Sequence, residues 1–302
     1  MRTLAIRLGW FATVLLFAAP ALAHGGDDAD PVPRWALDPV ILAPLVLVAL
    51  LFTTGLMRLA WRSRHAGLRR RACWFACGWL VLCAALVSPL HAAGERSFSA
   101  HMLEHEMLML AAAPLLVLAH PLPVLLWGFP VLARRGLARF ALAPPVNALW
   151  RILTAPVAAT LLQAAALLMW HAPTLFDLAL AHPGWHAAQH LSFLITALLF
   201  WTAMLGRRSS RKGRPLAALC LFATSLISGA LGALMAFSES PWYAGYARLG
   251  MAPFGLTPAE DQQLAGLIMW VPGGLVHAVA ALALMATVFE RAQQPEGTAN
   301  AL

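Results

Sequence analysis

Residues 100–127 read AHMLEHEMLMLAAAPLLVLAHPLPVLLW. Two histidines, His101 and His105, open the stretch one helical turn apart, and a largely apolar run follows. About 20 apolar residues cross a bilayer core, so this is a membrane span with ionisable groups at its mouth. Residues four apart share one helix face, and a pair of imidazoles on one face can grip a single metal ion. What else reaches the same depth is a question of topology.

The rest of the 302-residue chain has the same character. It is 61% hydrophobic and 11% charged, with a mean hydropathy of +0.72. A soluble domain carries roughly 25% charge, so this chain cannot cover itself with polar surface. An all-α polytopic membrane bundle is expected. Arg2 and Arg7, an apolar run over 8–19 and the small-x-small triplet Ala21-Leu22-Ala23 form a signal peptide over 1–23. Its cleavage would expose His24, whose amine and imidazole together chelate copper(II). A polar segment, 24–38, precedes a transmembrane domain over 39–291 and a cytoplasmic tail over 292–302. The domain divides into seven apolar segments, near 39–57, 72–90, 100–127, 155–170, 186–205, 215–237 and 264–289. The fourth is short and extends back toward Val146. Pro114, Pro121 and Pro123 interrupt the third. Small residues on the sixth, Ser225/Gly229 and Ser228/Gly232, suit close helix packing.

Positive charge orients the bundle. The loop after the first segment carries Arg58, Arg62, Arg64, Arg69, Arg70 and Arg71. The loop after the third carries Arg134, Arg135, Arg139 and Arg151, and that after the fifth Arg207, Arg208, Arg211, Lys212 and Arg214. The intervening loops hold only Arg96 and Arg248, and the N-terminal linker only Arg34. Lys and Arg in short loops mark the cytoplasmic side. The N-terminus is therefore expected outside and the C-terminus in the cytoplasm. The net charge of +8 reflects this orientation and contact with a lipid bilayer, not nucleic acid.

The same topology assembles the histidines. The third and fifth segments both run inward from the outer side, so His101 and His105 should meet His186 and His190 at one depth. The fourth ends there beside His171, and the seventh begins there after Glu260 and Asp261. His182 continues the four-residue spacing of the fifth segment but stands outside it. Ionisable groups within spans are expensive and usually functional. Imidazole suits copper, zinc, iron and nickel, and the thioethers of Met102, Met107, Met109 and Met269 lean toward copper(I). Glu104, Glu106, Asp177 and Asp261 can offset the positive field of the helix N-termini. His277, two turns into the seventh segment, is a deeper relay group or an interhelical donor. Cys73, Cys77, Cys83 and Cys220 all lie in spans, so no exported disulfide framework is expected. Cys73 and Cys77, one turn apart, make a second, softer pair.

Two other chemistries fit parts of this pattern. His101-Met-Leu-Glu104-His105 matches the inverted zinc-peptidase motif H-x-x-E-H, which would make a membrane zinc hydrolase. Imidazoles on facing helices could instead hold haem in a membrane redox protein.

Three ordered stretches carry a resemblance. The first is His101-Met102-Leu103-Glu104-His105 with Leu108-Met109 and Ala113-Pro114-Leu115-Leu116. The second is Trp170-His171-Ala172-Pro173, Phe176-Asp177 and His182-Pro183 leading to His186 and His190-Leu191-Ser192-Phe193. The third is Asp261-Gln262-Gln263 and the run from Ala265 through Trp270-Val271-Pro272 to Gly273-Gly274. Together they resemble the CtaG type of cytochrome c oxidase assembly proteins, a seven-span family. The resemblance implies a non-enzymatic factor of the bacterial plasma (inner) membrane that handles copper at a site facing the periplasm or cell exterior. It implies a haem–copper oxidase subunit and a periplasmic copper donor as partners. It would place metal handling on His101, His105, His171, His186, His190 and Asp261.

Overall fold

The computed structural model describes residues 35–62, 67–206 and 213–292, with side chains to 288. The signal peptide, His24, His65, the tail beyond 292 and five of the basic loop residues (Arg64, Arg207, Arg208, Arg211 and Lys212) lie outside the described residues.

Apart from an isolated bridge between Ala252 and Leu256, regular structure among the described residues is helical. The elements are α1 (Pro39–Arg62), α2 (Leu68–Leu86), α3 (Pro89–Gly94), α4 (Phe98–Ala119), α5 (Pro121–Gly128), α6 (Val131–Leu142), α7 (Pro144–Leu153), α8 (Pro156–Trp170), α9 (Pro173–Ala181), α10 (Pro183–Leu205), α11 (Arg214–Ala236), α12 (Ala244–Leu249) and α13 (Pro258–Ala292). Five of these, α1, α4, α10, α11 and α13, are long and apolar enough to cross a membrane. A sixth crossing is counted if α7 and α8 are one span bent by 67°. Pro156, which opens α8, places the bend. α2 has 19 residues, but Arg69, Arg70 and Arg71 in its first turns load it with charge.

The expected third span over 100–127 is not one helix. α4 stops at Ala119, His120 takes the left-handed conformation (φ 45°, ψ 59°), and α5 starts at Pro121. A residue before proline is pushed out of the right-handed helical region, which accounts for the break. Pro114 does not break α4. Ahead of it the helix widens into a π turn over Met107–Ala112, where the Ala113 amide bonds to Leu108 O, five residues back. The next carbonyl, Met109 O, would need the amide of Pro114, which has none. Trp201 Nε1 on α10 supplies the missing donor at 2.8 Å. A carbonyl freed inside a membrane bundle is thus satisfied by a neighbouring helix.

Glycines set two helix crossings. On α11 and α13, a Cβ at Gly266 would lie 2.4 Å from Gly232 O, and one at Gly232 would lie 2.7 Å from Gly266 O. On α1 and α5, a Cβ at Gly55 would fall 1.9 Å from Val124 O and one at Gly128 2.3 Å from Leu51 O. Only backbones without Cβ approach this closely. The largest apolar cluster, including Phe98, Met102, Phe176, Phe193, Phe200, Trp201, Tyr243 and Met269, joins α4, α8, α9, α10, α11 and α13.

Candidate metal site

α4 and α10 run parallel, because their contacts climb in step. His101 stacks near His186 (ring centroids 5.1 Å), His105 meets His190 (4.9 Å) and Phe193 (4.8 Å), and deeper down Met109 O meets Trp201. Each helix presents its histidines in its first turns, on one face, with centroids 4.3 Å apart for His101/His105 and 4.4 Å for His186/His190. The structure therefore brings His101, His105, His186 and His190 into one group.

The group has free ligand atoms. Ligand nitrogens of His101, His186 and His190 all lie within 4.8 Å of one another. Both ring nitrogens of His101 and His105, and Nε2 of His186, are buried without a hydrogen-bond partner among the described residues, and His190 Nε2 has the Glu104 carboxylate beside it. A buried polar atom left unpaired costs roughly 1–3 kcal/mol, so several together need an occupant. Two imidazole nitrogens on one ion at about 2.0–2.1 Å each stand at most about 4.2 Å apart. The observed group meets that by drawing in a fraction of an ångström. The residues fit a metal ion.

A carboxylate stands against the imidazoles. Glu104, fully buried on α4, accepts a hydrogen bond from His91 Nδ1 at 2.8 Å, and the same oxygen lies 3.1 Å from His190 Nε2. His91 sits on the short helix α3, stacked 5.4 Å from His186 and 5.9 Å from His190. The Glu104 hydrogen bond raises the His91 pKa above the ordinary imidazole value, while burial works against it. Sequence reasoning missed His91. It belongs to no four-residue repeat, and its only signal is its position just past the outer end of the second apolar segment.

The other expected residues are placed differently. His171 ends α8. Its Nδ1 donates to Leu167 O at 2.7 Å, which leaves the lone pair on Nε2, a buried atom without a partner. Phe176 and Phe193, each 6.3 Å from the His171 ring, also contact His101 and His105 respectively. His171 thus stands one layer back. Asp261, on α13, is committed to the start of α4. It accepts from Ser97 Oγ (2.9 Å), Phe98 N (2.6 Å), Ser99 N (3.2 Å) and Ser99 Oγ (2.5 Å). Asp177 accepts from the amides of Ala244 and Gly245 at the start of α12, and Glu260 from Thr257. His182 is exposed at the junction of α9 and α10. Met102 and Met269 are packed in the apolar core, and Glu106 lines a separate chamber deeper in the bundle. Cys73 and Cys77 are exposed free thiols on α2.

This packing bears on the alternatives. A haem would have to part rings whose centroids lie between 4.3 and 5.8 Å of one another. A hydrolase would use Glu104 as the base; its Oε1 is held between His91 and His190, and its Oε2 is buried without a partner among the described residues.

Two mycobacterial proteins described only as uncharacterized, one from Mycobacterium bovis and one from Mycobacterium tuberculosis, are each 29% identical to this chain over 290 residues. The match covers 88% of this chain but 40% of each relative, so the chain spans well under half of their length. No solved structure matches it. The family described as cytochrome c oxidase caa3 assembly factor matches residues 50–291, the stretch that holds every histidine of the group, and the chain belongs to that family.

Proposed function

We propose that the chain is a cytochrome c oxidase assembly factor that binds copper as cargo at the His101/His105/His186/His190 group and assists its delivery to a haem–copper oxidase. The observation that carries the reading is the set of buried, unpartnered imidazole nitrogens gathered from two parallel helices beside one carboxylate. Imidazole takes copper readily. Within the group, His101, His186 and His190 offer ligand nitrogens close enough to share one ion, and a three-ligand set is exchangeable, in contrast to a closed structural one. Glu104 supplies counter-charge and His91 orients it. The role is binding and transfer, not catalysis. The partners are an oxidase subunit, a periplasmic copper donor and the bilayer of the bacterial inner membrane.

The orientation belongs to the same proposal. Counting α2 and the bent α7–α8 pair, the chain makes seven crossings, with the histidine group facing the periplasm. Contacts among the basic loops support this. Arg58 bonds to the carbonyls of Trp127, Gly128 and Phe129, and both Arg62 and Arg134 lie over the Trp127 ring, which ties the first two basic loops together at one end. Arg214, from the third, bonds to Thr287 near the far end of α13. The histidines lie at the opposite ends of α4 and α10.

The test is the metal content and visible spectrum of the full chain purified in detergent. Bound copper that is lost in the His186→Ala/His190→Ala variant, with the helical circular dichroism and melting point retained, is the expected result. Stoichiometric iron with a Soret band, or copper unaffected by the two substitutions, would overturn it.

A further inference from the structure

Below the histidine group lies a separate buried chamber, with a cavity of about 20 Å³, room for one water or one small ion. Glu106 and Met109 from α4, Gln163 from α8 and His277 from α13 bring side chains to it, closed by Trp201 and Thr224. Most side-chain donors on its wall are already in use. Trp201 Nε1 donates to Met109 O, Thr224 Oγ1 to Cys220 O, Ser228 Oγ to Ser225 O and His277 Nδ1 to Gly273 O. Gln163 Nε2 donates to Met109 Sδ at 3.1 Å.

What faces the chamber is lone pairs. Glu106 Oε2 and Gln163 Oε1 are buried with no hydrogen-bond partner among the described residues. With its proton on Nδ1, His277 carries its lone pair on Nε2. Met109 Sδ adds a thioether that keeps a lone pair. A glycine, Gly273, stands where a Cβ would come to 3.5 Å from Glu106 Oε2, so the carboxylate has backbone, not side chain, beside it. The two unpartnered oxygens, the thioether and the imidazole form a mixed donor set around one small cavity. The thioether, imidazole and carboxylate of that set suit a cation.

We propose that this chamber is a second, inner cation site that takes one copper(I) ion on Met109 Sδ, His277 Nε2 and Glu106. Thioether and imidazole donors favour the soft monovalent ion. One positive charge against one carboxylate leaves the chamber neutral, whereas a divalent ion would leave net charge in an apolar interior. Glu106 directly follows His105, so α4 serves the outer group on one side and the inner chamber on another.

The test is copper(I) bound per full-length chain in detergent under reducing conditions, with X-ray absorption at the copper edge. Two ions per chain are expected, falling to one in Met109→Leu or in His277→Gln. The outer-site variant His186→Ala/His190→Ala is expected to keep one ion with a sulfur neighbour, and that signal disappears when Met109→Leu is added. Met109→Leu conserves volume, and an unchanged melting point certifies the fold. No ion lost in Met109→Leu, or an inner ion with no sulfur neighbour, would overturn the proposal. The two sites fail separately. If the outer alanines change nothing while Met109→Leu removes an ion with its sulfur signal, the inner site stands and the outer one falls.

Discussion

Asp261 Oδ2 on α13 accepts a hydrogen bond of 2.6 Å from the backbone amide of Phe98, the first residue of α4. With the bond from Ser99 N to the same carboxylate, and those of Ala100 N to Ser97 Oγ and His101 N to Ser97 O, the opening amides of α4 are all satisfied. The charge also opposes the positive end of the helix dipole, which would otherwise repel a cation at His101. Asp261→Ala should therefore destabilise the chain by about 1–2 kcal/mol and weaken copper binding without abolishing it. Asp261→Asn should retain much of the stability and lose more of the affinity. Melting curves and copper titrations on the two variants separate the cap from the charge.

His91 is expected to act on copper through Glu104. Partners that orient a metal site from outside its ligand set typically change affinity by about 10–100-fold when removed. His91→Ala should lower copper affinity within that range and leave the number of ions per chain unchanged. Loss of an ion would instead make His91 a ligand.

Trp201 and Pro114 are coupled through one carbonyl. Trp201→Phe leaves Met109 O without a donor in an apolar interior, at a cost of roughly 1–3 kcal/mol. Pro114→Ala restores an amide that can serve that carbonyl. The double variant should be more stable than the sum of the two single effects requires, as a melting-point cycle would show.

The crossing of α11 and α13 predicts a steric result. Gly266→Ala puts a methyl 2.4 Å from Gly232 O, a backbone atom that cannot swing aside. The helices must separate, at a cost of about 1–3 kcal/mol. Gly67→Ala, where a Cβ meets nothing within 4 Å, should leave the melting point unchanged.

The parts of this fold that follow a period were legible in the sequence. Apolar runs marked the long helices, and the four-residue spacing of His101/His105 and His186/His190, with the alternation of basic loops, put both pairs at one level. What depends on how a particular helix end docks was not legible. The family resemblance placed metal handling on Asp261, whose carboxylate takes donors from Ser97, Phe98 and Ser99, and which donors reach it is decided by where α13 meets Ser97. Glu104 and Glu106 looked alike on paper. Two residues along a helix they point about 200° apart, so one joins the imidazoles and the other the inner chamber. His91 lay across a turn from its partners, where no spacing rule applies. The 100–127 run hid a break at His120 because its composition stays apolar on both sides.

The imidazole group is proposed to carry copper to the oxidase. The most direct measurement is the copper content of the haem–copper oxidase purified from cells whose only copy of this chain carries His186→Ala/His190→Ala. Oxidase protein with haem present and copper depleted is expected, while the variant chain accumulates in the membrane at the normal level. Oxidase with its full copper complement, at normal levels of the variant chain and limiting external copper, would contradict it.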